Sequence, residues 1–195
     1  MAMNEETRDY LRRLDRSHYQ GLAIVHWSHT VEERKTGWLD DGFHAGFREI
    51  LIHAGFLHGL FCPAYCLMPD HFHVVWSGLR KDSDQLTATT WMRRRVNGLL
   101  AKDGCQLQKQ AYDRVLRDSD RDRFAFEKLI GYVFMNPDRA SLVGEGAPRS
   151  DWKWRDSILP AYPEVGWQRS SPDSYWDLYW KLYHRAIDSG LDGNP

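Results

Sequence analysis

Leu60-Phe61-Cys62-Pro63-Ala64-Tyr65-Cys66-Leu67-Met68-Pro69-Asp70-His71-Phe72-His73-Val74-Val75-Trp76 reads as two strands folded back on each other. Residues 60–67 are largely apolar and aromatic, Met68-Pro69-Asp70 supplies a turn, and residues 71–76 resume as a second run. Side chains alternate faces along a strand, so His71 and His73 share one face while Phe72, Val74 and Trp76 take the other, toward a core. Two imidazoles about 7 Å apart along a rigid strand can converge on one divalent ion, and neutral imidazole suits Mn, Zn, Fe or Ni. The ordinary alternative for such a pair is two surface or hydrogen-bonded histidines.

Working outward, residues 18–27 are rich in β-branched and aromatic side chains and predict a first strand, broken only by Gly21. Asp41 can cap a helix whose apolar residues Phe43, Phe47, Ile50, Leu51 and Ala54 follow the spacing of one buried face, with Gly55 as its stop. A second helix is expected over 84–101, with Met92, Val96, Leu99 and Leu100 on one side, then a short strand over 111–116 and a third helix over 120–135. Strand, helix, strand, strand, helix, strand is the order of a ferredoxin-like split βαβ unit, an α+β fold. The expectation is an antiparallel sheet with helices on one face.

The third helix carries the apolar stripe Phe126, Leu129, Ile130, Val133 and Phe134. Tyr132 and Asn136 lie off that stripe and four residues apart, so they stack on one flank, and Pro137 stops the helix after them. A phenol and an amide oxygen thus meet at a helix end. Read blandly, Tyr132 is a half-buried aromatic and Asn136 a helix cap before proline.

Composition bounds the rest. With 195 residues, 42% hydrophobic and 27% charged, the chain is of ordinary globular make-up and long enough for a proper core. It has no long uncharged apolar run, which argues against a transmembrane helix, and residues 1–16 lack the apolar centre of a secretory signal. Three cysteines without a metal-type pair fit reduced thiols, and a cytoplasmic location is expected. The net charge of -1 is low for a nucleic-acid partner, but residues 91–117 hold seven basic residues against two acidic ones. Arg93, Arg94, Arg95, Lys109 and Arg114 in that stretch are candidate phosphate contacts. Trp91 could stack on an unpaired base, or serve core packing.

Taken together these segments resemble a known family. Residues Tyr65 to Val75, with Met-Pro-Asp-His71-Phe-His73, resemble the MPNHxH segment of the REP-associated tyrosine transposases, which are single-tyrosine HUH transposases. Gly131-Tyr132-Val133-Phe134-Met135-Asn136-Pro137-Asp138-Arg139-Ala140-Ser141-Leu142-Val143 resembles their Y…NPxRAGLV segment, and residues 108–118 resemble their WQRGYYDHVIRD strand. Asp70 replaces the usual asparagine, Gln108 the tryptophan, and Ser141 a glycine; the residues that would do chemistry are all present.

The resemblance implies an HUH endonuclease fold and a metal-dependent enzyme that cleaves and rejoins single-stranded DNA. In it His71, His73 and Asn136 would hold Mg²⁺ or Mn²⁺, and Tyr132 would be the nucleophile forming a phosphotyrosine link. The implied substrate is single-stranded DNA folded into a repeat hairpin, and the implied assembly a monomer or homodimer, with no membrane partner. A tyrosine phenol ordinarily titrates at about 10, and a nearby cation favours its ionised form.

Two domain-level units are expected: residues 1–148 as the catalytic domain and 149–195 as an aromatic-rich, partly helical extension packing on it. Two other readings stay open. One is a different His-x-His metallohydrolase, although the Asp-His that β-lactamase-like enzymes place two residues later is replaced here by Val74-Val75-Trp76. The other is a domesticated hairpin-binding module without strand-transfer activity.

Overall fold

The computed structural model describes residues 13–116, 123–144 and 151–158, together with Asp177, Trp180, Lys181, His184 and Arg185. Five strands form one antiparallel sheet in the order β4-β1-β3-β2-β5: β1 Ile24–Thr30, β2 Leu60–Leu67, β3 His71–Gly78, β4 Tyr112–Val115 and β5 Arg155–Ile158. The first four strands have the ferredoxin-like arrangement that the element order predicts. The fifth adds an edge beside β2.

Local chemistry explains most boundaries. Helix α1 (Asp41–His58) is capped by Asp40, whose carboxylate accepts from the Phe43 N–H at 2.6 Å, one residue earlier than expected. It buries Phe43, Phe47, Ile50, Leu51 and Ala54, the stripe read from the sequence. It does not stop at Gly55. It runs on to His58, and Gly59 closes it in the left-handed conformation at φ 61°. Gly55 answers a different need, because a Cβ there would lie 2.7 Å from the Leu60 carbonyl oxygen. Helix α2 (Gln85–Leu100) is capped by Asp84.

The first strand begins later than residue 18. Residues Arg16–Tyr19 form a short 3-10 turn, Gly21 reverses the chain at φ 64°, and only Ile24–Thr30 pair with β3, from Ile24 opposite Ser77 to Thr30 opposite His71. The strand also runs on past Trp27 to Thr30, so that His29 joins His26 in the sheet, three apart and so on opposite faces. In β2, Pro63 offers no N–H, and the pairing with β3 changes register between Phe61 and Ala64.

Helices α1 and α2 cover one face, burying Trp27, Trp76, Phe72 and Val74 of the sheet beneath Phe43, Phe47, Met92 and Val96. Here the expectation of helices on one face needs correction. Helix α3 (Arg123–Phe134) lies on the opposite face, its stripe Phe126, Leu129, Ile130, Val133 and Phe134 packing with Phe61, Ala64, Cys66 and Val75. Both faces of the sheet are apolar at its centre, so both need a cover. This also leaves β2 buried at every position.

Of the residues expected to form the extension, Arg155–Ile158 make β5, which pairs with β2 as an edge of the sheet. Trp152 Nε1 donates to the Leu67 carbonyl at 2.8 Å, and Trp180 packs edge-on against Phe126. Most of the expected helical part of the extension lies outside the described residues. Among the described residues, no helix is long and apolar enough to cross a membrane, and all three cysteines are free and buried.

Candidate active site

The α3 face of the sheet gathers the polar groups. His71 and His73 on β3 turn their Nε2 atoms toward each other at 3.1 Å. His71 is held from behind by Asp70, whose Oδ1 lies 2.6 Å from His71 Nδ1 and whose Oδ2 accepts from Arg34 at 2.8 Å. Burial by itself would raise the Asp70 carboxyl, but these bonds from His71 and Arg34 hold it below the ordinary carboxylate range. Behind His73 stands His26 of β1, its Nε2 3.0 Å from His73 Nδ1. Asp70, His71, His73 and His26 therefore stand in one continuous row, each ring nitrogen within 3.1 Å of the next group.

Burial pushes His73 down to about 2, with His26 and His71 adding to the effect, and pushes His26 down to about 4, helped by Arg114. Both rings are neutral near pH 7, so their lone pairs are available. No group of three or more His, Cys, Asp or Glu side chains is disposed to hold a metal among the described residues. The His71–His73 pair is nevertheless a fit for two ligands of one ion. Two nitrogens 3.1 Å apart, each about 2.1 Å from a common ion, subtend roughly 95°. That approximates the right angle of octahedral coordination, the geometry magnesium and manganese prefer.

Tyr132 projects from α3 toward this row and is 42% exposed. Its ring centroid lies 6.0 Å from that of His26 and 6.3 Å from that of His73, both edge-on. The Arg139 guanidinium sits 4.7 Å over the Tyr132 ring, a cation–π contact. Asn136 lies one helical turn beyond. Its amide nitrogen donates to the carbonyls of Tyr132 and Val133 at 3.0 and 3.2 Å, which leaves the amide oxygen as the atom able to meet a ligand. Pro137 does not simply end the helix. Met135 breaks it, and Asn136–Arg139 form a short helix α4 with the proline in its first turn.

Arg155 of β5 fixes this junction. It is 2% exposed and donates to the Phe134 carbonyl and to Asp138 Oδ2 at 2.6 Å. Ser141 then takes a left-handed φ of 54°, at the position where the resembling family carries glycine.

Beside Tyr132 opens a cleft of roughly 540 Å³ lined by His26, Tyr112, Arg114, Phe124, Lys128 and Leu129 among others. Arg114 pairs across β4 and β1 with His26, which puts it on the site face. Lys128 lies one turn before Tyr132. The other basic candidates are elsewhere. Arg93 is on α2, beyond the opposite face of the sheet, and is engaged by His29 Nδ1 at 3.1 Å and by the Gln108 carbonyl. Burial lowers its pKa. Arg94 and Arg95 are exposed on the same helix, Arg95 stacking 4.9 Å over the partly buried Trp91, and Lys109 is exposed in the loop before β4.

No family model and no curated protein sequence matches the chain. Among solved structures it is similar to a REP-associated tyrosine transposase bound to a REP hairpin, with a TM-score of 0.60, 16% sequence identity, and 75% of this chain and 81% of that chain covered. The two share a fold. In that fold, His71, His73 and Tyr132 come together, with Asn136 one turn away on the same helical segment, and Arg114 joins them at the cleft. Arg93, Arg94 and Arg95 do not. The sequence reading passed over His26, Lys128, Arg139 and Arg155. Lys128 was accessible to it, since it precedes Tyr132 by four residues, as Asn136 follows it by four.

Proposed function

We propose that this chain is a metal-dependent single-stranded DNA nuclease and strand transferase that works through a covalent phosphotyrosine, acting on hairpin DNA. The observation that carries the proposal is the convergence of His71 Nε2 and His73 Nε2 at 3.1 Å with the Tyr132 ring 6.3 Å from His73, on a fold shared with a hairpin-bound tyrosine transposase.

In this reading His71, His73 and the Asn136 amide oxygen would hold Mg²⁺ or Mn²⁺. A bound ion would neutralise charge on the scissile phosphate. Tyr132 loses its proton and its oxygen attacks phosphorus. The bond to the 3′ oxygen breaks, giving a DNA 5′-phosphotyrosine and a free 3′-OH. The cleft cations Arg114 and Lys128 suit the neighbouring phosphates. A second 3′-OH can then displace the tyrosine, because the phosphotyrosine conserves the energy of the broken bond. No nucleotide cofactor is needed.

The test uses a labelled hairpin library, Mn²⁺ or Mg²⁺, and denaturing gels. A protein band carrying label is expected, absent with chelator and absent in Tyr132→Phe. Label transfer that persists in Tyr132→Phe removes that residue from the nucleophile role, and hairpins bound without any transfer reduce the chain to a binding module.

A further inference from the structure

We propose that His26 is a positioning residue for the metal-binding pair, the partner of His73 as Asp70 is the partner of His71. The inference rests on the reading of His71 and His73 as metal ligands.

The argument is one of proton placement. For His71 and His73 both to offer Nε2 lone pairs to a cation, each must carry its proton on Nδ1. His71 can do so because Asp70 Oδ1, 2.6 Å away, accepts that proton's hydrogen bond. His73 needs an equivalent acceptor behind it. At that place the structure puts another imidazole, His26 Nε2, 3.0 Å from His73 Nδ1. With its own proton on Nδ1, His26 accepts the bond and fixes both the tautomer and the tilt of the His73 ring. Outer partners of this kind orient metal-bound histidines and raise their basicity.

Two further observations separate this from incidental packing. His26 is only 5% exposed and enters from a different strand, opposite Val75 rather than His73 in the register, so its ring reaches diagonally to meet His73. By contrast His29, equally buried on the same strand, has an Nε2 with no hydrogen-bond partner among the described residues. Burial in β1 does not of itself produce such a bond.

The test is Mn²⁺ binding by calorimetry on the full chain, comparing wild type with His26→Phe and His26→Gln. The glutamine amide oxygen can take the place of the imidazole Nε2 and accept the same bond. We expect His26→Phe to weaken Mn²⁺ binding roughly 10- to 100-fold and His26→Gln to restore it close to wild type. Wild-type affinity in a folded His26→Phe overturns the positioning role, as does intact Mn²⁺ affinity with lost label transfer, which would make His26 act on Tyr132 instead. A wild-type chain that binds no Mn²⁺ overturns the metal reading itself, and that result is visible before any variant is compared. Should His26→Phe not fold, ¹⁵N-histidine spectra of the wild type with Mg²⁺ decide the matter. A His73 proton on Nδ1 with a bare His26 Nε2 supports the inference, and the reverse tautomers overturn it.

Discussion

His26 and His29 stand three residues apart on β1, both buried, and face opposite ways. On the α1/α2 face His29 stacks on Phe72 at 4.7 Å and receives the Arg93 guanidinium, within a core of Trp27, Trp38, Trp76, Phe43 and Phe47. On the α3 face His26 meets His73 and looks into a cleft with Tyr132 and Arg114. The same strands thus serve two ends. One face holds the large aromatics that exclude water, and the other is apolar under α3 but polar where the helix ends. Because side-chain period is two, neighbours in sequence belong to different machines. Rigidity on one face is what keeps the imidazoles of the other within hydrogen-bond reach.

The contrast is sharpest within β3. Trp76→Ala, on the core face, should cost about 3–5 kcal/mol of stability, measured by denaturant unfolding. His71→Ala, five residues earlier on the other face and partly exposed, should change stability little while abolishing metal-dependent cleavage in any divalent ion. If His71→Ala keeps full cleavage, the polar face is not a metal site.

A smaller effect distinguishes the arginines of α2. Arg93→Ala leaves His29 Nδ1 without its partner and should destabilise by about 1–3 kcal/mol. Arg94→Ala, exposed one residue on, should stay within about 0.5 kcal/mol of wild type. Equal effects would mean that Arg93 is not engaged with the core. Smallest of all is the effect on hairpin affinity. Arg114→Ala in the cleft should weaken binding and reduce the slope of log affinity against log salt by about 1, whereas Arg94→Ala should leave the slope unchanged if the DNA lies along the α3 face. The reverse result would move the hairpin to the α2 side.

Elements set by local periodicity were legible in the sequence. The buried stripe of α1, the bounds of β2 and the alternation of β3 emerge as expected, because each depends on spacing within one segment. What depended on partners was not. The start of β1 is fixed by its register with β3 and by the reversal at Gly21, neither visible in a run of β-forming residues. The stripe of α3 says that the helix packs, but not against which face. β5 falls in the stretch read as an extension packing on the domain, since Arg155 and Asp156 give no apolar signal for a strand; they are buried because α3–α4 and Arg48 of α1 supply their partners. At the candidate site His71, His73, Tyr132 and Asn136 could be picked out by spacing. His26 could not, being a lone histidine whose meaning comes from a strand almost fifty residues away.

Arg155 also carries a consequence for timing. The junction bearing Tyr132 and Asn136 is tied to the sheet by a side chain that emerges from the ribosome after everything it holds in place. A growing chain that has reached residue 150 already contains both histidines and the tyrosine, yet lacks the edge strand that anchors their helix. A product ending before β5 would carry His71, His73 and Tyr132 without this tie between the α3–α4 junction and the sheet.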